Sequence, residues 1–181
     1  GVEVATYRSE VCKDNKVLEL DTVSNAVEDS MRRDFTINSI YYDYDLDRLW
    51  DFNNGSQDIR EATIKAVGDP YKRFNEDYSR ILRAMYLSAT LGFDIETKTA
   101  NAILELGEDI KKVPHALVGK IVRKAIKDGC FHEFLYNLRN YFLLEHIFPE
   151  MIHTLDLKQN PEYHSHDVWN HTLKVVEEAE K

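Results

Sequence analysis

Within the run Arg73-Phe-Asn-Glu-Asp-Tyr-Ser-Arg-Ile-Leu-Arg-Ala84, Asp77 and Arg80 stand three apart in a helix-forming stretch, a spacing that puts both side chains on one helix face. A carboxylate that only accepts and a guanidinium that only donates can together read the edge of a nucleobase. Cytosine and adenine each show an amino group beside an unprotonated ring nitrogen. Uracil and guanine show the reverse, a carbonyl beside a ring N–H. An Asp–Arg pair therefore matches C and A and leaves unpaired groups against U and G, which is the condition for discrimination. The same spacing also describes an ordinary surface ion pair, which is common and worth little.

A second polar cluster lies upstream in Arg32-Arg33-Asp34-Phe35-Thr36-Ile37-Asn38-Ser39-Ile40. Its arginines donate in a fork that fits phosphate oxygens, and Asp34 and Asn38 suit sugar hydroxyls. The plainer expectation for Asp34 is a cap on a short helix whose apolar side is Ile37, Ile40 and Tyr41, and the two roles are compatible. Asp43, Asp45 and Asp47 alternate as if along one face of a strand, but they fall between two aromatic-rich runs, where a hairpin turns. They are expected to be turn residues rather than a catalytic pair.

The elements that must position these groups divide in two. The opening run Val2-Glu-Val-Ala-Thr-Tyr7 alternates like a strand, and the first sixty or so residues read as strands, a short helix and turns. The remainder reads as helices over 76–91, stopped by Gly92, then 97–106, 116–127 after Pro114 and closed by Gly129, 131–138 and 141–147. Inward stripes of Ile81, Ala84, Met85 and Ser88 on the first, and of Ala100, Ile103 and Leu104 on the second, are expected to form the core; Met85 and Tyr86 read as core rather than ligand. The fold class is α+β by segregation, predominantly α-helical.

At 181 residues the chain is long enough for a sizeable helical core, and four prolines and seven glycines leave room for long helices. Cys12 and Cys130 have no metal-ligand spacing, which fits reduced thiols. With no secretory signal and no apolar run long enough to span a membrane, a cytoplasmic location is expected. The net charge of −9 weighs against a dedicated nucleic-acid binder, yet Lys111, Lys112, Lys120, Arg123, Lys124 and Lys127 gather cations within reach of a phosphate backbone. The ordinary reading of such a run is a solvated helix face.

Taken in order, four segments resemble the class II tRNA nucleotidyltransferases and the bacterial poly(A) polymerases: Glu3-Val-Ala-Thr-Tyr-Arg8, the 32–40 cluster, Asp51-Phe-Asn-Asn-Gly-Ser-Gln-Asp58 leading to Ile64-Lys-Ala-Val-Gly68, and Glu76-Asp-x-x-Arg80 continuing to Ala84. The resemblance runs from residue 2 to about 149. It implies that Arg33 and Asp34, with Asn38 beside them, contact the phosphates and ribose of an incoming nucleotide, and that Asp77 and Arg80 pair with its base edge. It also implies that Asp51, Gly55 and Asp58 belong to a hinge between a catalytic head and a helical neck. ATP, with CTP as a second candidate, would be the substrate, an RNA 3′ end such as that of tRNA the partner, and Mg2+ the cofactor. In that family an Asp-x-Asp pair upstream of the position of Val2 holds the metal, so this chain is expected to be a fragment in which Glu3 is at most a remaining member of the metal site.

The segment Gln159-Asn-Pro-Glu-Tyr-His-Ser-His-Asp-Val-Trp-Asn-His-Thr-Leu173 resembles the opening of an HD-type phosphohydrolase domain. There His171 would match the first metal ligand; the adjacent His166 and Asp167 would point about 100° apart on a helix and cannot readily chelate together. The expected organisation is thus 1–60 as the end of a catalytic head, 61–149 as neck and body, and 150–181 as the start of a tail. Departures from the family pattern occur at Leu117, Lys120 and Tyr86, positions that commonly brace the nucleotide-reading helix. The alternatives are a non-catalytic nucleotide- or RNA-binding remnant, or a parent acting chiefly as an HD phosphohydrolase.

Overall fold

The computed structural model describes residues 8–13, 16–22, 26–155, 157 and 167–180, with side chains from residue 26 onward. The strand-like run 2–7, and with it Glu3, lies outside the described residues. The described part begins with an antiparallel hairpin, β1 (Arg8–Lys13) and β2 (Lys16–Thr22), whose register slips between Val11 and Cys12. The short helix α1 (Ala26–Ser30) and a single 3-10 turn at Thr36–Asn38 follow. Ile40 and Tyr41 belong to a strand, not to that helical turn, so no apolar helix face exists for Asp34 to cap.

Strands β3 (Ile40–Asp43) and β4 (Arg48–Asp51) form a second antiparallel hairpin. The acids that alternate in the sequence make its turn: Asp43 Oδ1 accepts the N–H groups of Asp45 and Leu46, both at 3.1 Å, and Asp47 adopts a left-handed φ of 46°. Asp side chains compete locally for backbone donors, and here that competition closes the hairpin.

β4 runs directly into α2 (Gly55–Arg60), and the junction is tightly determined. Asp51 accepts the N–H of Gly55 and of Ser56, both at 2.8 Å, and so caps the helix from outside it. Thr36 Oγ1 donates to Asp58 Oδ2 at 2.6 Å in a buried bond that ties the 3-10 turn to the helix. Gly55 is required by close approach: a Cβ there would stand 2.1 Å from the Thr36 carbonyl oxygen.

The sequence reads as one helix from Glu76, but there are two: α3 (Pro70–Glu76) and α4 (Ser79–Leu91). Asp77 is extended, at φ −158° and ψ 100°, because its Oδ1 accepts the Ser79 N–H at 2.9 Å and starts a new helix. α4 ends at Gly92, whose φ of 65° supplies the left-handed stop. Two-residue strands β5 (Thr63–Ile64) and β6 (Asp94–Ile95) pair in parallel across it.

Helix α5 (Thr97–Leu106) has the expected bounds and is capped by Glu96, which accepts the Thr99 N–H at 2.8 Å. Its buried stripe is Thr99, Ala102 and Ile103; Leu104, expected inward, is 49 % exposed because it sits one helical step beyond Ile103. Then come α6 (His115–Lys127), α7 (Phe131–Asn140), α8 (Leu144–Ile147) and α9 (Val168–Ala179). The helix expected over 141–147 is interrupted at Phe142, with φ 56°, where the chain folds back so that the Leu143 N–H reaches the Leu138 carbonyl at 2.7 Å. Phe35, Ile64, Ile81, Leu82, Met85, Phe134 and Trp169 share a single core, so the segment around Phe35, β5, the central helices and α9 pack on one another. The fold is α+β and mostly helical.

Burial pushes the Asp51 carboxyl up, but hydrogen bonds from the Ser56 N–H and hydroxyl and from the Gly55 and Asn53 N–H groups outweigh it and hold the group below 3.8. A depressed carboxylate stabilises the fold above its ordinary titration range, and the benefit fades as pH falls through the lowered value. Asp51→Asn should therefore cost about 0.5–2 kcal/mol at pH 7, as loss of a helix cap does, with the gap from wild type closing below pH 3.8. Gly55→Ala should destabilise by about 1–3 kcal/mol through the Thr36 clash. Chemical denaturation at several pH values checks both, and a pH-independent Asp51 effect would contradict the capping account.

Candidate nucleotide-binding site

The break between α3 and α4 lies against the 29–38 segment, and a knot of charges forms there. Arg80 is buried, with 9 % of its surface exposed, and its Nη1 donates to the Arg73 carbonyl at 2.7 Å and to Glu76 Oε2 at 2.9 Å. Its Nη2 reaches the Arg32 carbonyl at 3.4 Å. Arg73, equally buried, donates to the Met31 carbonyl at 3.0 Å and pairs with Glu76 at 2.9 Å. Burial lowers the Arg73 pKa, opposed by Glu76 and reinforced by neighbouring Arg80. Two buried guanidinium groups thus share one carboxylate and fasten three chain segments together.

Asp77 and Arg80 do not share the face of a continuous helix. Asp77 sits in the break, with its side chain 40 % exposed, while Arg80 lies on the first turn of α4 with Nε buried and without a hydrogen-bond partner among the described residues. The contact that gathers the two predicted clusters is Arg83. Its Nε lies 3.1 Å from Asp34 Oδ2, too poorly aligned for a hydrogen bond, and its Nη2 lies 3.4 Å from Asp77 Oδ2.

The other members of the upstream cluster are partly engaged. Asp34 Oδ1 accepts the Phe35 N–H at 2.8 Å and Asn38 Nδ2 at 3.3 Å. Arg33 places Nε and Nη2 on Asp29 Oδ2 at 3.0 and 2.7 Å, and its side chain remains 47 % exposed. Burial would lower the Arg33 pKa, but Asp29 and Tyr41 more than compensate and raise it. Burial and the hydrogen bond to Asp29 likewise push the Tyr41 phenol up to about 12, against the opposing pull of Arg33.

Sequence reasoning missed Asp29, Arg73, Glu76 and Arg83. The Arg80-x-x-Arg83 spacing was visible as two cations on one helix face; Asp29 and Arg73 act across sequence separations that no local pattern shows. Tyr86, noted as a departure, is buried and donates to Asp128 Oδ2 at 2.6 Å, with the Lys124 ammonium 4.7 Å from its ring centre. It ties α4 to the end of α6 and so supplies a neutral brace.

The candidate phosphate-contacting cations divide. Lys111 pairs with Glu108 at 3.0 Å and Lys112 with Asp109 at 2.7 Å. Lys120, Arg123 and Lys124 are exposed on α6 and make no ion pair among the described residues. His171 is exposed on α9, and among the described residues no group of three His, Cys, Asp or Glu could hold a metal ion. Neither Mg2+ nor an HD-type metal is accommodated by the described side chains. Among the described residues no helix is long and apolar enough to cross a membrane.

The fold is that of a segment of a nucleotidyltransferase. Residues 1–65 match the family described as "Poly A polymerase head domain", and residues 92–155 the one described as "Probable RNA and SrmB- binding site of polymerase A". Poly(A) polymerase I of Salmonella typhimurium is 34% identical over 160 residues, covering 82% of this chain and 34% of that protein. The CCA-adding enzyme of Leuconostoc citreum is 40% identical over 115 residues, 62% of this chain and 28% of that protein. Among solved structures, the Bacillus stearothermophilus CCA-adding enzyme in complex with CTP superposes with a TM-score of 0.66 at 28% identity, over 78% of this chain and 34% of that one. A tRNA nucleotidyltransferase complexed with a primer tRNA and an incoming ATP analog superposes at 0.59 and 28% identity, over 76% of this chain and 40% of that one. The chain belongs to the family of poly(A) polymerases and CCA-adding enzymes, and it spans about a third of the length of the curated relatives it matches.

Because Arg80 neutralises Glu76 and satisfies carbonyls of two other segments, Arg80→Ala should destabilise the fold by roughly 2–4 kcal/mol. Asp77→Ala, which loses only a half-exposed cap, should cost about 0.5–2 kcal/mol. Equilibrium unfolding of the two variants checks the order, and equal costs would contradict the bracing role of Arg80.

Proposed function

We propose that this chain is the nucleotide-reading part of a template-independent RNA 3′-nucleotidyltransferase that transfers AMP, with CMP as a second candidate, from a nucleoside triphosphate to an RNA 3′ end such as that of tRNA, in the cytoplasm. The observation that carries the reading is Arg83 joining Asp34 to Asp77, which brings the ribose-suited and base-suited clusters into one partly exposed site. The relatives' names and the nucleotides and tRNA in their solved complexes support the same reading.

Asp77 is the acceptor for the exocyclic amino group of adenine or cytosine. Arg80, fixed by Glu76 and two carbonyls, is the donor to the ring nitrogen through its unpartnered Nε–H, which is buried and must be uncovered as the nucleotide enters. Buried guanidinium groups held this firmly discriminate well, since a wrong base leaves them unpaired. Arg33, with Asp34 and Asn38, meets phosphates and ribose, and the α6 face of Lys120, Arg123 and Lys124 meets RNA phosphates. Lys111 and Lys112 contribute less, because their acidic partners must first be displaced. Residues 1–60 form the end of a catalytic head, with Asp51, Gly55 and Asp58 its hinge. Residues 61–149 form neck and body, and 150–181 begin a tail. Magnesium, on which this reaction class depends, would supply Lewis-acid stabilisation of the transferring phosphoryl group.

In the full-length protein, Asp77→Ala should reduce the preference for ATP or CTP over GTP and UTP by about tenfold or more in kcat/KM ratios. Unchanged preference would leave Asp77 as a helix cap only. The 181-residue chain alone is expected to incorporate no nucleotide into an RNA primer, and measurable incorporation would overturn that expectation.

A further inference from the structure

We propose that Arg83 is a positioning residue that couples sugar discrimination to base discrimination, an inference that rests on the nucleotide-reading role given to Asp34 and Asp77. The two carboxylates are held in the same way. Each has one oxygen fixed by its own local backbone: Asp34 Oδ1 by the Phe35 N–H at 2.8 Å, and Asp77 Oδ1 by the Ser79 N–H at 2.9 Å. Each second oxygen faces Arg83, at 3.1 Å for Asp34 and 3.4 Å for Asp77. The carboxylates come from segments far apart in sequence, and one planar guanidinium sets the separation between them. An oxygen of a carboxylate accepts more than one hydrogen bond, so Oδ2 of either residue can take a ligand donor while Arg83 stays in place.

Arg83 suits this part because of where it stands. It is 37 % exposed and stands three residues along α4 from Arg80, whose guanidinium is committed to carbonyls and Glu76. An ion pair at that exposure adds little to stability, so its effect falls on the placement of the acceptors. Two like charges without it would drift apart. A lysine keeps the charge but offers a point contact in place of a fork, and cannot span both carboxylates in a fixed geometry.

The test is steady-state nucleotide addition by the full-length protein and its Arg83→Lys and Arg83→Met variants, using ATP, 2′-deoxy-ATP and GTP. Coupling predicts that the ATP to 2′-deoxy-ATP ratio and the ATP to GTP ratio of kcat/KM both fall, each on the order of tenfold, in both variants. A uniform loss for all three nucleotides would make Arg83 a phosphate contact, and unchanged ratios with a lowered unfolding midpoint would make it a structural ion pair. A fall in one ratio only would show that the two recognitions are separate. Each of these results overturns the proposal. Asp77→Ala run alongside separates the two ideas: if it retains base preference, the base-reading role itself fails; if it loses base preference while the Arg83 variants keep both ratios, only the coupling fails.

Discussion

The buried guanidinium of Arg80 is the constraint on which the site depends. A charge taken out of water must find partners, and Arg80 finds Glu76 on the preceding helix, the carbonyl that ends the turn at Arg73, and the carbonyl of Arg32 from the upstream segment. These partners come from two other pieces of chain, α3 and the upstream segment. Satisfying one side chain therefore fixes the angle at which α3 meets α4 and the distance from both to the 29–38 segment. Arg73 repeats the device seven residues earlier, on α3, reaching the Met31 carbonyl and the same glutamate. Both guanidinium groups reach Glu76 because it stands three residues after Arg73 and four before Arg80.

A second set of contacts keeps the upstream segment from moving independently. The Thr36 N–H donates to the Lys65 carbonyl at 2.9 Å and the Val67 N–H to the Asp34 carbonyl at 3.1 Å, so Phe35 is clamped against Ala66 and lies fully buried. Thr36 then reaches Asp58, and Gly55 admits the Thr36 carbonyl where any side chain would exclude it. Of the residues that the family resemblance places in a hinge, Gly55 and Asp58 are thus buried and Asp51 is half-buried.

Most of the helical half was legible in the sequence because its punctuation is strong: Gly92 and Gly129 adopt left-handed conformations, and Pro114 precedes α6. The turn at 43–47 was legible for a similar reason, since aspartates between aromatic runs have a local preference that nothing overrides. What could not be read was the break at Asp77. Glu, Asp, Tyr, Ser and Arg in succession are all compatible with a continuing helix, and the capping bond from Ser79 prevails only because tertiary partners reward the bend. The same limit hid α3, whose opening Pro70 resembles loop chemistry, and it misplaced Leu104 by a single helical step. The types of the site residues were legible, but their partners were not: base edge chemistry can be deduced from Asp and Arg, whereas the burial of Arg80 follows from contacts dozens of residues away.

For the proposed base-reading role of Asp77 and Arg80, the consequence is an asymmetry between the two groups. The donor is buried, paired on one edge and rigid, while the acceptor is half exposed, capped on one oxygen and steadied on the other by a surface arginine. A rigid donor sets a fixed reference from which the ring nitrogen is measured. A softer acceptor can then settle on the amino group of either adenine or cytosine, whose rings place that group at different distances from the backbone that carries them. Rejecting uracil and guanine needs only the donor to be immovable, because an N–H presented to an N–H has no relaxed geometry available. One stiff and one compliant partner therefore suffice to accept two bases and exclude two, without requiring the pocket to reshape itself around each.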